Sequence, residues 1–252
     1  STMSHMTTTD LSVPQEILEV HAKLKQAGYE GYLVGGCVRD LILGREPKDW
    51  DITTNARPEQ IQALYDETFY ENDYGTVGVV TQSLNPKLKV VEITPYRIEG
   101  KYTNARHPDE VTFSTNIHDD LERRDFSINA IAYDPSTGEL IDEHGGKEDL
   151  ARKVLVAVGD AHKRFEEDAL RMLRAIRIAA ELDFAIDGAT MAGIADNATQ
   201  LAKISKERIR DEFSRILMSD RPLQALYMAQ KLGVLKYVIP ELEDGVGCAQ
   251  NQ

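Results

Sequence analysis

Gly35-Gly36-Cys37-Val38-Arg39-Asp40, with twelve residues between Gly36 and the run Asp49-Trp50-Asp51, is the stretch whose reading decides the fold. Before it, Tyr32-Leu33-Val34 reads as a buried strand. The two glycines that follow leave the backbone bare of Cβ atoms where a phosphate group would approach. Cys37 to Leu43 reads as a short helix, with Val38, Leu41 and Ile42 at helical spacing and Gly44 as its stop. Asp49 and Asp51 lie two apart on the next strand, so the pleat points both carboxylates one way while Trp50 and Ile52 face the core. Hard carboxylate oxygens in such a pair suit Mg²⁺. Two such ions about 4 Å apart activate an attacking hydroxyl and stabilise a departing pyrophosphate. An isolated Asp-x-Asp is ordinarily solvated surface, but here it follows a Gly-Gly turn in the order strand, turn, helix, strand.

The 252 residues, 42% of them apolar, can bury a substantial core as one large domain or two smaller ones. The net charge of −13 argues against a protein that binds nucleic acid over its whole surface. From 151 to 217, however, there are twelve Lys and Arg against eleven Asp and Glu, so the acid excess lies mainly in the first half. That balance fits transient contact with RNA; a solvated acidic surface is the competing explanation. Cys37 and Cys248 lack metal-type spacing and imply no disulfide framework. With no signal peptide and no eighteen-residue apolar run, the expected location is the cytoplasm, or an organelle if a transit peptide has been removed, and no membrane partner is expected. Residues 1–6 resemble a cloning remnant and stand outside the fold argument.

After a helix over 14–27, residues 31–142 alternate strand-like runs with turns, at 32–34, 49–53, 74–81, 88–96, 111–114 and 130–133. A helix with Pro58 in its first turn covers 58–65. Beyond Gly145 strands nearly vanish, and 163–182, 188–196, 205–217 and 221–232 carry helical periodicity. There is no internal repeat or low-complexity tract.

The Gly-Gly and Asp-x-Asp runs resemble the signature of the nucleotidyltransferase superfamily that includes DNA polymerase β. Arg123-Arg124-Asp125-Phe126-Ser127-Ile128-Asn129-Ala130, Glu167-Asp168-Ala169-Leu170-Arg171 and Ser205-Lys206-Glu207-Arg208-Ile209 then resemble, in order, the later motifs of class II tRNA nucleotidyltransferases. Those are the bacterial and eukaryotic CCA-adding enzymes, with bacterial poly(A) polymerases as close relatives. The resemblance runs from about Gly31 to Leu217. It implies an α/β head of polymerase-β-like fold over 14–145, an all-helical neck with a nucleotide-selecting motif over 146–217, and the beginning of a helical body over 218–252. The loop-like end, Gly245 to Gln252, leads to the expectation that the chain is part of a longer protein.

The resemblance also implies roles. Asp49 and Asp51 would hold the metals. Gly35, Gly36 and Arg39 would face the triphosphate, Arg123, Arg124, Asp125 and Asn129 the phosphates and sugar, and Asp168, Arg171, Arg174 and Arg177 the nucleotide. Lys101 and Arg106 would belong to a loop that organises the site for the last nucleotide, and Arg208 would support the template helix or steady the head. Glu92, a carboxylate in the strand Leu88-Lys89-Val90-Val91-Glu92-Ile93-Thr94, is costly to bury unless it is metal-bound or paired, with Arg97 or Arg39 as alternative partners. Arg123 and Arg124 have a competing reading as partners of Asp119, Asp120 or Glu122 on a helix. Asp168, Arg171 and Arg174, three apart, would project from one side of a helix, as a template or as a solvated charged stripe.

The implied activity is addition of CMP and AMP from CTP and ATP to the 3′ end of tRNA, with Mg²⁺ as cofactor and pyrophosphate as product. A CC-adding or A-adding specialist and a poly(A) polymerase are the alternatives within the enzyme class. An RNA-binding fragment, inactive without its missing domains, is the alternative outside it. Oligomeric state is not legible in the sequence.

Overall fold

The computed structural model describes residues 6–71, 74–98 and 112–241. These form two compact units, the first ending at Ala151 and the second beginning at Arg152. In the first, β1 (Met6–Thr8) precedes α1 (Gln15–Gln26), β2 (Gly31–Val34), α2 (Gly36–Ile42), β3 (Trp50–Thr54), α3 (Pro58–Leu64), β4 (Thr68–Tyr70), β5 (Val77–Val80) and β6 (Val90–Pro95). A two-stranded ribbon of β7 (Arg97–Ile98) and β8 (Thr112–Phe113) follows, then α4 (Ile117–Glu122), β9 (Ile131–Asp134), β10 (Glu139–Asp142) and α5 (Gly146–Arg152), whose last residue opens the second unit.

Eight of these strands form one mixed sheet in the order β1-β10-β9-β2-β3-β6-β5-β4. Within it β3 and β6 are parallel, with Asp51 opposite Glu92, while β2, β5 and β9 pair antiparallel to their neighbours. Alternation assigns the faces. Trp50, Ile52, Val77, Val79, Val91 and Ile93 are all buried, and the residues between them point to the opposite side. On that opposite side, toward β10, Val34, Tyr96, Ile117, Leu121, Ala132 and Ile141 form a second apolar cluster that anchors α4 to the sheet. The polar residues of β3 and β6 are thus bordered by packed structure on the α4 side.

In the second unit β11 (Val154–Leu155) pairs in parallel with β12 (Ala185–Ile186) among the helices α6 (Ala161–Glu167), α7 (Leu170–Leu182), α8 (Gly188–Asn197), α9 (Lys206–Leu217), α10 (Pro222–Lys231) and α11 (Leu235–Val238). α7 is its centre, burying Met172, Leu173, Ala175, Ile176, Ile178 and Ala179 against α6, α9 and α10. The single helix read over 163–182 is two helices. Asp168 between them is extended, with φ −146° and ψ 107°, and its Oδ1 accepts from Leu170 N at 3.1 Å. It therefore lies just before α7, whose N-cap is Ala169, rather than projecting from within a helix, which corrects the placement of Asp168 on a helix face. β1, β4 and β10, absent from the expected strands, complete the sheet, with β1 and β4 at its edges; Met6, set aside with the residues before it, is the first residue of β1.

Candidate nucleotide site

Gly35 joins β2 to α2 with φ +80° and ψ −144°, a conformation open in practice only to glycine. Guanidinium groups stand over both glycines: a Cβ on Gly35 would meet Arg124 Nη1 at 3.6 Å, and one on Gly36 would meet Arg39 Nη2 at 3.3 Å. Arg39 is held in place by Asp40 at 3.1 Å and by the carbonyl oxygen of the buried Asn129 at 3.0 Å. Bare backbone beneath two positioned cations is an arrangement suited to phosphate oxygens.

The acids lie beside it. Asp49, expected on the strand with Asp51, is instead exposed in the bend that precedes β3, so the pleat does not set its direction; Asp51 is on the strand. Asp51 is hydrogen-bonded to Glu92, its register partner on β6, and Glu92 in turn to Glu71, just beyond β4. Burial raises the Asp51 carboxyl above its ordinary range; the Glu92 hydrogen bond and Arg124 oppose that shift, while Asp49 and Glu71 add to it. Burial and the neighbouring Asp51 push Glu92 up to about 7. Glu71 is raised as well, by burial and then by Glu92. Among the described residues no three His, Cys, Asp or Glu side chains converge as a ready-made metal cage. Asp51 and Glu92 instead face each other as register partners on β3 and β6, and an all-oxygen pair of like charges has the donor chemistry of a Mg²⁺-class cation. The residues fit such an ion.

Cys37 sits underneath. Its Sγ lies 3.3 Å from Val34 O and 3.8 Å from Asp51 O, and burial pushes its thiol up to about 12. It pins α2 to the strands that carry the glycines and the acids.

Asp120, fully buried in α4, accepts from Arg123 Nε and Nη2 at 3.1 and 3.0 Å and from Arg124 Nη2 at 2.9 Å. Burial alone would raise its carboxyl, but the two guanidinium groups hold it well below the usual carboxylate range. The pairing of Arg123 and Arg124 on the helix and the placement of Arg124 at the glycines are therefore both realised. Asp125 is buried and accepts from Phe126 N at 2.8 Å.

In the second unit Arg208, on α9, donates to Asp168 Oδ2 at 3.0 Å. Arg171 donates to Glu167 Oε2 at 2.8 Å and to Arg164 O at 3.3 Å. Arg174 shares the half-buried face of α7 with Arg171 and Arg177. Arg177 forms ion pairs with Glu212 of α9 and Glu181, tying α7 to α9. Lys101 and Arg106 lie outside the described residues. Sequence reasoning missed Glu71, a glutamate at a polar turn with no local pattern to mark it.

The family described as Poly A polymerase head domain matches residues 31–156, and the one described as Probable RNA and SrmB- binding site of polymerase A matches 183–245. The CCA-adding enzyme of Leuconostoc mesenteroides is 43% identical over 237 residues, covering 92% of this chain and 58% of the relative. The chain thus spans little more than half the length of the curated relatives it matches. The crystal structure of the Bacillus stearothermophilus CCA-adding enzyme with CTP superposes with a TM-score of 0.80 at 40% identity, covering 89% of this chain and 53% of that one. A CCA-adding enzyme solved with ATP gives 0.75 at 27% identity, covering 91% and 54%. The mixed-sheet head and helical region are those of this polymerase-β-like fold, and no helix among the described residues is long and apolar enough to cross a membrane. Matched over half its length, the chain belongs to the poly A polymerase head-domain family, that of the tRNA nucleotidyltransferases and bacterial poly(A) polymerases its motifs resemble.

Proposed function

We propose that the chain carries the catalytic and nucleotide-selecting part of a CCA-adding enzyme, which transfers CMP and AMP from CTP and ATP to the 3′ end of tRNA. The observation that carries this reading is the meeting, on one sheet, of the Asp51–Glu92 pair with Arg39 and Arg124 over Gly35 and Gly36. In it, residues 14–145 are the head, 146–217 the neck and 218 onward the start of a body. Such an activity places the chain with tRNA in the cytoplasm.

Asp49 and Asp51 would hold Mg²⁺, with Glu92 beside them. A bound divalent cation there favours ionisation of the attacking 3′ hydroxyl and neutralises charge on the leaving pyrophosphate. Arg39 and Arg124 hold the triphosphate oxygens over the bare Gly35-Gly36 backbone, Arg123 adds positive charge, and Asp125 accepts from the ribose. Asn129 fixes Arg39. Lys101 and Arg106 serve the loop that orders the last nucleotide.

Base choice falls to Asp168 and Arg171. Cytosine and adenine both offer an exocyclic amine beside a ring-nitrogen acceptor, so one carboxylate and one guanidinium satisfy either. Uracil and guanine present a carbonyl and a ring N–H instead, which leaves both protein groups unpaired. Arg174 keeps the nucleotide on this face of α7, Arg177 braces the helix behind it, and Arg208 holds Asp168.

The test is incorporation of labelled CTP and ATP, in Mg²⁺, into a tRNA transcript ending at the discriminator base. Two cytidines followed by one adenosine is the expected product. Adenosine runs, addition of C alone or A alone, or no incorporation would overturn the reading.

A further inference from the structure

We propose that Phe69, lying over Gly78, is a stacking platform for the 3′-terminal base of the RNA acceptor. The inference rests on the reading above and adds to it a residue that contacts the acceptor.

Registers place four residues in one lateral row across four strands: Asp51 opposite Glu92, Glu92 opposite Gly78, and Gly78 opposite Phe69. Directly paired residues share a face, so Phe69 lies on the face of the acids. Its ring leans inward over β5. A Cβ on Gly78 would lie within 2.7 Å of the ring's Cε1 and Cε2, so only glycine at 78 lets the ring lie there. Phe69 remains 41% exposed. Polar groups occupy the adjoining row: Glu71 N donates to Thr76 O at 3.0 Å, and the Thr76 and Thr94 hydroxyls are hydrogen-bonded at 2.9 Å. An accessible aromatic face framed by carboxylates and hydroxyls, two strand spacings or about 10 Å from Glu92, is therefore part of the same surface.

In-line displacement decides what occupies it. Attacking and leaving oxygens stand on opposite sides of the phosphorus. The triphosphate side is marked by Gly35, Gly36, Arg39 and Arg124, beside β2. In the sheet order β2 and β4 lie on opposite sides of the β3–β6 pair. The leaving pyrophosphate therefore points toward β2, and the acceptor hydroxyl comes from the β5–β4 side, where Phe69 is. The acceptor's last base changes as each nucleotide is added. An aromatic platform tolerates that change, because every base has a π-face.

The closing experiment titrates the full chain into a short RNA carrying 2-aminopurine at its 3′ terminus. Stacking quenches the probe with the unaltered chain and with Phe69→Tyr. Phe69→Leu, which still covers Gly78 with apolar bulk, removes the quench and weakens RNA binding roughly tenfold. Equal quenching by Phe69→Leu and the unaltered chain would mean that the ring only covers the glycine, and the platform would be refuted. Should Phe69→Leu fail to fold, ultraviolet cross-linking of RNA ending in 4-thiouridine to the unaltered chain decides the matter. A cross-link to the peptide containing Phe69 supports the platform, and cross-links confined to other peptides overturn it. Kinetics separate the two layers of inference: a raised KM for RNA with an unchanged KM for CTP in Phe69→Leu supports the platform. Absence of any incorporation by the unaltered chain, with the quench intact, refutes CCA addition alone.

Discussion

Arg208 reaches from α9 to Asp168, 3.0 Å from Nη2 to Oδ2, and holds that carboxylate in the break between α6 and α7. The other oxygen of Asp168 accepts from Leu170 N at the start of α7. Both oxygens are thus oriented, and Arg171 is oriented separately by Glu167. Replacing Arg208 by Ala frees one oxygen and lets the carboxylate turn. The preference for C over U should then fall about tenfold, which corresponds to about 1.4 kcal/mol. Single-nucleotide incorporation with competing CTP and UTP measures it, and unchanged preference would show that the ion pair does not orient Asp168 for base reading.

Asp120 between Arg123 and Arg124 is a stability device with a defined pH signature. Its folded pKa lies below the unfolded value of about 3.9. The stabilisation is therefore complete above that value and is lost as pH falls from there toward the folded pKa. Asp120→Asn leaves two partly buried guanidinium groups without their carboxylate, a loss of about 3–5 kcal/mol. Thermal melts should show the largest gap between Asp120→Asn and the unaltered chain near pH 7 and a shrinking gap below about pH 4. A gap constant from pH 7 to pH 3 would place the effect in packing instead.

The carboxylates of β3 and β6 predict the reverse. Glu92 titrates at about 7 in the folded chain, above its unfolded value of about 4.3. Without a divalent cation, the folded form binds the extra proton between those values, and stability falls as pH rises through 7. Asp51→Asn removes the like charge. In EDTA at pH 8 its Tm should exceed that of the unaltered chain by about 1–4 °C, while nucleotide incorporation is abolished. A lower Tm for Asp51→Asn would mean that Asp51 is held by a favourable contact rather than by mutual repulsion with Glu92.

What could be read in advance follows from how local each signal is. Tyr32 to Asp51 declares itself because glycine conformation and helix spacing agree within twenty residues, although Asp49 falls in the bend before β3 and only Asp51 is on the strand. β4 escapes because three residues, Thr68-Phe69-Tyr70, carry no measurable period, and only pairing with β5 makes them a strand. The break at Asp168 is hidden because Phe165, Ala169, Met172, Leu173 and Ile176 keep helical spacing across it and are all buried. The one mark of it is a capping residue type where a helix was already assumed. Asp120 could be named among several partners for Arg123 and Arg124, but its selection over Asp119 and Glu122 depends on which side of α4 meets the core.

Asp51 and Glu92 are forty-one residues apart in the chain and meet only because β3 and β6 run parallel, a pairing no hairpin can supply. Between them, β4, β5 and β6 form an antiparallel meander from purely local contacts. The meander can assemble during folding while Asp51 is still remote, and the long crossover must then close at an entropic cost before any acid pair exists. The strands that present Glu92 and Phe69 are thus held by short-range pairings, whereas the acid pair depends on the one long-range closure that docks β3.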